Sequence, residues 1–320
     1  MVSLISVPTM NLANSVLRIS NGIWSDYSTM AVRTGGPGPS GLSLVVVPLK
    51  NYPGVTMRRL KVSGQICGGT TYIELDDVKV PVENLIGEEG MGMKYIMTNF
   101  NHERLIIAVG VTRQARVALS TAFEYCLKRE AFGKTLMDQP VVRHRLAKAG
   151  AELESLSSWV EQFLYQLNNM PKEEGDMRLG GLTALAKAKA AMVLNECAQC
   201  AVLLFGGLGF TKTGQGELVE SKSPTSHHLP VSLLTLPLPS CYISVIRHLC
   251  ITLPLPSRYL SVTYLPLHAN YTPSTEILRD VPGARIPGGS EDVLLDLSVR
   301  QLVKVFKAQG KLLEKQQHKI

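Results

Sequence analysis

Charge is scarce in this chain of 320 residues. Asp, Glu, Lys and Arg make up only 18% of it, against roughly 25% in an ordinary soluble domain, and aromatic residues make up 6%. The dilution is local. Residues 221–275 contain no Asp, no Glu and no Gly, yet hold eight of the 18 prolines and four of the seven histidines. Lys222, Arg247 and Arg258 are the only charges there, so three units of the net +7 fall in this stretch and the rest of the chain carries +4. A balance that modest, with no basic stripe interleaved with aromatics, excludes an electrostatic footprint for nucleic acid. Long uninterrupted apolar runs are also missing. The most apolar region, 229–267, is broken by prolines every few residues and carries Arg247 and His248, short of the ~18 residues a membrane span needs, so no membrane span is expected. The first seventeen residues have no basic start, and Pro8 interrupts their apolar run, which excludes a secretory signal of ordinary form. Of six cysteines only Cys197 and Cys200 stand close together, and no second pair at zinc spacing accompanies them. They read as small apolar residues on a helix, with no metal site.

What is present falls into two patterns. Over residues 24–80 the punctuation is Gly and Pro, and short β-branched runs at 28–33, 42–48, 55–62 and 70–80 read as strands. Gly36, Gly38 and Gly41 match a dinucleotide-binding glycine pattern in form, but Pro37 and Pro39 stiffen the loop and a strand follows where a helix is required, so a hairpin turn is expected. From Met91 the period becomes helical, with Ile96, Phe100, Ile107, Val111, Ala118 and Ala122 on one face as far as Lys128. Two further long amphipathic helices are expected at 141–167 and 179–205, separated by Pro171 and Gly175. A fourth starts after Gly288-Gly289-Ser290, where Ser290 suits an N-cap and Glu291 and Asp292 suit the positive helix end. The fold class is therefore α+β, a small β-domain followed by a four-helix bundle.

Four motifs then occur in a fixed order: Asn101-His102-Glu103-Arg104-Leu105, Lys128-Arg129-Glu130-Ala131-Phe132-Gly133-Lys134, Phe205-Gly206-Gly207-Leu208-Gly209-Phe210, and Ile286-Pro287-Gly288-Gly289-Ser290-Glu291. Their order and spacing resemble the flavin-dependent acyl-CoA dehydrogenases, and Ile19-Ser20-Asn21-Gly22-Ile23-Trp24 is similar to that family's strand beside the flavin. The resemblance implies α,β-desaturation of an acyl-CoA thioester: a carboxylate removes the α-proton while the β-hydrogen leaves as hydride to FAD, and donors hold the thioester oxygen as charge develops on it. Many members carry the base in the last motif, where this chain has Gly288. Members of the isovaleryl and long-chain type place it instead on the first long helix, where Glu103 stands. The resemblance thus implies Glu103 as base, with Gly288 offering its backbone N–H to the thioester oxygen. By the same resemblance Ser20, Arg129, Phe132, Gly206, Gly207 and Ser290 contact the cofactor, Gly206 and Gly207 from another subunit, and Asn101 and Arg104 contact substrate. His102 has no second His one turn on, which excludes a zinc-protease helix. Arg143, His144 and Arg145 read as a solvated helix face. Arg18 stands where the family has Trp, and Leu203 where it has a Gln donor, so weak FAD binding is expected.

The family pattern covers roughly residues 19–220 and 276–305, so four segments are expected: a non-native leader at 1–18, a partial middle β-domain at 19–85, the C-terminal helical bundle at 90–220 and 276–320, and an aberrant insertion at 221–275. The family's N-terminal helical domain is expected to be absent. The insertion reads as a translated intron, because Glu220-Ser221-Lys222-Ser223 can be encoded with the donor string GTAAGT and Thr275-Glu276 with an acceptor ending ACAG. Joining across those points restores the frame. An inserted Pro-rich interaction loop is the alternative. For function, an FAD-dependent dehydrogenase stands against two rivals, an inactive fragment acting as a helical interaction module and an acyl-CoA oxidase. Expected partners are acyl-CoA, a second copy in a homodimer or homotetramer, and an electron-transfer flavoprotein or similar acceptor. An intracellular location follows, mitochondrial, peroxisomal or cytosolic.

Overall fold

A computed structural model describes residues 9–12, 15–211 and 277–317. The expected insertion at 221–275 lies outside the described residues. The chain divides into two compact units, residues 1–100 and 101–320.

The first unit is antiparallel β. Strands β1 (Thr9–Leu12), β2 (Ser15–Ile19), β3 (Tyr27–Arg33), β4 (Leu42–Pro48), β5 (Val55–Arg59), β6 (Thr71–Leu75), β7 (Val78–Pro81) and β8 (Leu85–Ile86) form sheets ordered β2-β6-β5 and β3-β4-β8, with β1 paired to β7. Alternation drives Val45, Val47, Ile73, Leu75, Val78 and Val80 into one core. The run at 70–80 is two strands rather than one, because Asp77 takes a left-handed conformation (φ 50°) between them, which a short polar side chain tolerates. The stretch at 55–62 pairs regularly only to Arg59. Gly36, Gly38 and Gly41 lie in the β3–β4 hairpin, where the Arg33 guanidinium donates to the carbonyls of Gly36 (2.7 Å) and Gly38 (3.1 Å). That is the expected turn. Within the stretch expected to be a leader, Thr9–Leu12 and Ser15–Ile19 are paired strands, and Leu12 is part of the core.

The second unit is helical. It contains the length of α1 (Gly92–Lys128) beyond the division between units, α2 (Pro140–Asn169), α3 (Lys172–Phe205), α4 (Ile277–Arg285) and α5 (Glu291–Gln317), with a small hairpin of β9 (Glu130–Ala131) and β10 (Lys134–Thr135) after α1. Helix α3 starts seven residues before its expected position. The polar run after Pro171 is helical and carries a Glu174–Arg178 pair one turn apart (2.9 Å), and Gly175 lies inside the first turns at the modest cost glycine exacts there. Residues 277–280 are the first turn of α4, whose Ile277, Val281 and Ala284 are buried. Helix α3 runs antiparallel to α2, with Lys148–Glu196 at 3.8 Å and a Lys189–Glu152 ion pair. The segment Met177–Phe210 has the length and apolarity of a membrane span. Its alanines, however, are fully enclosed by protein: Ala184, Ala186, Ala188, Ala190 and Ala191 have no exposed surface. Against α5 the approach is so close that a Cβ on Gly181 would lie 3.1 Å from the Ser298 carbonyl oxygen. The cysteines Cys126, Cys197 and Cys200 are buried and free, as small apolar residues are. Arg143, His144 and Arg145 are exposed, as expected.

Candidate active site

The turn that carries Gly288 connects α4 to α5, and three cations organise it. Gly288 (φ +69°) and Gly289 (φ +115°) are successive left-handed residues, a pairing that no two side-chain-bearing residues would adopt without strain. Arg285, closing α4, holds Glu291 at the start of α5 through Nη2 to Oε2 at 2.7 Å and Nε against Oε1 at 2.7 Å. This ion pair, with its one charge-assisted hydrogen bond, ties the two ends of the turn. Arg104 on α1, 4% exposed, donates from Nε to the Gly288 carbonyl at 2.9 Å. Lys187 on α3 has no exposed surface, and its Nζ donates to the carbonyls of Arg285 (2.7 Å) and Gly289 (2.8 Å).

Burial lowers the pKa of Arg104, and the Glu103 carboxylate partly opposes that shift. Burial pushes the Lys187 ammonium down to about 8, with Glu291 opposing and Arg104 adding to the effect. A methyl group at Gly288 would lie 3.4 Å from Arg104 Cγ and 3.5 Å from Ile107 Cδ1, so the glycine rests on the turn of α1 that spans residues 104–107. Glu103 is exposed on that same turn. Gly288 thus lies against residues 104 and 107 of α1, of which Arg104 directly follows Glu103, although 185 residues separate Glu103 from Gly288 in sequence. Ser290 accepts from the Leu294 N–H through its carbonyl at 2.9 Å, the backbone arrangement of an N-cap.

A second group of expected site residues sits at the other end of α1. The rings of Tyr125 and Phe205 meet edge to face at 5.1 Å, joining the last turns of α1 and α3. Just beyond them come Arg129, which is exposed, and Phe132, 97% exposed with φ +58° at the tip of the β9–β10 hairpin. Beyond α3 come Gly206 and Gly207, where an added Cβ would meet nothing within 4 Å. Leu203, 63% exposed, is on the last turn of α3. From Arg104 to Tyr125 is about 30 Å along the helix at ~1.5 Å per residue. Ser20 belongs to the first unit, exposed in the turn after β2. The Asn101 amide lies against the α3 backbone at Gly180, where Gln301 of α5 also approaches. Lys187, Arg285 and Asp280, which is 4% exposed, were not among the expected site residues. The available signal for Lys187 was its register: it stands among the buried positions 184, 188 and 191 of an alanine stripe, where a solvated lysine has no place.

The family model "Acyl-CoA dehydrogenase, C-terminal domain" matches residues 90–221. The acyl-CoA dehydrogenase apdG of Emericella nidulans is 69% identical over 93% of this chain and 55% of its own length. The acyl-CoA dehydrogenase AFT10-1 of Alternaria alternata is 37% identical over 64% of this chain and 48% of its own. The chain therefore spans about half the length of the curated relatives it matches. A putative acyl-CoA dehydrogenase of Mycobacterium smegmatis has the same fold, with a TM-score of 0.67 at 24% identity over 92% of this chain and 63% of that one.

Proposed function

Because the chain matches the acyl-CoA dehydrogenase family, we propose that it carries the desaturation half-site of an FAD-dependent acyl-CoA dehydrogenase. One observation supports this above the rest: Gly288 packs on the α1 turn that bears Glu103. With no side chain at 288, the carboxylate comes from α1, and the space a base would fill at 288 is left for the acyl chain. Glu103 takes the α-proton. The Gly288 N–H donates to the thioester oxygen, which gains charge as that proton leaves. Arg104 acts through the Gly288 carbonyl, and Asn101 lines the same stretch of α1. FAD, when bound, accepts the β-hydrogen as hydride.

The other end of the bundle suits a dinucleotide. An exposed guanidinium at Arg129, an exposed ring at Phe132 and open backbone at Gly206 and Gly207 match a pyrophosphate and an adenine in kind, and Ser290, beside Gly288, is a separate cofactor contact. That end is about 30 Å along α1 from Arg104. By the family resemblance Gly206 and Gly207 meet the adenosine from another subunit, which is why a homodimer or homotetramer is proposed. An intracellular enzyme passing electrons to an electron-transfer flavoprotein or a similar acceptor completes the reading.

The test is Glu103→Gln. It should bind flavin as the unsubstituted chain does yet abolish exchange of the substrate α-proton with solvent deuterium, and exchange retained at the unsubstituted rate refutes the assignment. Hydrogen peroxide formation during acyl-CoA turnover would identify an oxidase instead.

A further inference from the structure

Lys187 stands where elementary energetics disfavours it. An ammonium with no exposed surface costs far more than an apolar residue of equal volume unless it is fully hydrogen-bonded, and the positions around it on α3 are alanines. Its two acceptors are main-chain carbonyls at either side of one short turn: Arg285 at the end of α4, 2.7 Å away, and Gly289 at 2.8 Å. A third carbonyl of the turn, that of Gly288, accepts from Arg104 at 2.9 Å. The peptide whose N–H belongs to Gly288 is therefore bracketed, with a cation on the carbonyl of Arg285 before it and cations on those of Gly288 and Gly289 after it. An apolar residue would fill the same space without tying these carbonyls together.

We infer that Lys187 is a positioning residue: its ammonium clamps the Arg285–Gly289 turn and so aims the Gly288 N–H. This rests on the reading of that N–H as the thioester donor and extends it to a residue that touches neither substrate nor flavin. The charged groups acting on the ammonium are Glu291 at the start of α5 and Arg104 on α1, with Arg285 at the end of α4 held by Glu291. Its lowered pKa, about 8, puts loss of the charge within reach of a protein that is still folded.

Hydrogen–deuterium exchange on the full chain, corrected for intrinsic rates, tests the clamp with no substrate or flavin added. Protection of the amides of 285, 286 and 288–291 relative to those of α2 should fall about tenfold from pH 7 to pH 9.5, as charge-assisted bonds become neutral ones. Lys187→Met should show the lower protection throughout, with no pH dependence left. Unchanged protection in Lys187→Met, or a pH dependence that survives in it, overturns the inference. If the variant does not fold, the unsubstituted chain decides alone, and flat protection over that range overturns it too. Failure of the Glu103→Gln exchange test would instead refute Glu103 as the base and leave the clamp standing.

Discussion

Gly288 and Gly289 are neighbours with the same backbone hand, yet replacing each by alanine should have very different consequences. At Gly288 the added methyl finds ordinary van der Waals contacts at 3.4 and 3.5 Å. The cost is the left-handed conformation, ~1–2 kcal/mol, offset by ~0.5–1 kcal/mol because alanine restricts the unfolded chain. The net is about 1 kcal/mol. At Gly289, φ is +115°, outside the small left-handed well that alanine can enter, which costs ~1–3 kcal/mol. The methyl would also lie 2.8 Å from Leu294 Cδ2 and 3.1 Å from its Cγ. Leu294 has no exposed surface and packs on Ala184 and Ala188, so it cannot withdraw, and overpacking adds ~1–3 kcal/mol. With the same ~0.5–1 kcal/mol offset, Gly289→Ala should therefore cost about 3 kcal/mol, the middle of a ~1–5.5 kcal/mol span. At ~2–4 °C per kcal/mol, thermal unfolding followed by circular dichroism should show a loss of about 2–4 °C for Gly288→Ala and at least about 6 °C for Gly289→Ala. In a Leu294→Ala background, the cost of Gly289→Ala should shrink to the conformational part alone. Equal losses for the two substitutions, or a Gly289→Ala penalty untouched by Leu294→Ala, would refute this account of the turn.

Two further outcomes are expected. Burial pushes the Cys197 thiol up to about 12 and raises Cys126 and Cys200 as well, while Cys67 is exposed; alkylation of the native chain at pH 8, mapped by mass spectrometry, should therefore modify Cys67 and spare the other three, and comparable labelling of Cys197 would contradict the core packing. Deleting residues 221–275 should raise soluble yield, because a stretch with eight prolines, no acidic residue and no sustained period has no consistent face to bury; if the deletion lowers yield and the stretch resists protease as well as α1 does, the intron reading falls.

The helices were legible because their burial follows from period alone. Val111, Ala118 and Ala122 lie in one core, as their spacing predicts. The start of α3 was not legible, since glycine and proline mark possible interruptions without deciding them, and here Pro171 precedes the helix while Gly175 lies within it. The expected strand at 70–80 failed for a related reason: composition favoured continuity, and the left-handed turn at Asp77 depends on one backbone angle. At the candidate site, Glu103 and Gly288 could be paired through the resemblance, and the structure brings their neighbourhoods together through Arg104 and Ile107. Lys187 eluded the sequence reading because its partners are two backbone carbonyls 98 and 102 residues away. Main-chain acceptors leave no mark in residue identity, so only the lysine's place in a buried register hints at them.

That asymmetry bears on how the site is built. A turn whose central residues are both glycine has no side chains of its own with which to hold a shape, and it gives up more conformational freedom on folding than any other pair would. The constraint has to come from around them: the Arg285–Glu291 pair ties the flanking helix ends, and donors on α1 and α3 hold carbonyls of the turn. Such a grip is indifferent to the side chain at 288 but not to the cations at 104 and 187. Replacing either cation removes a charged donor from a buried carbonyl, an acceptor that is costly to leave unpaired. Altering 288 within the space above Arg104 Cγ and Ile107 Cδ1 leaves every one of those bonds in place. The geometry of the turn is thus encoded in α1, α3 and the Arg285–Glu291 pair, and not in the side chain at 288.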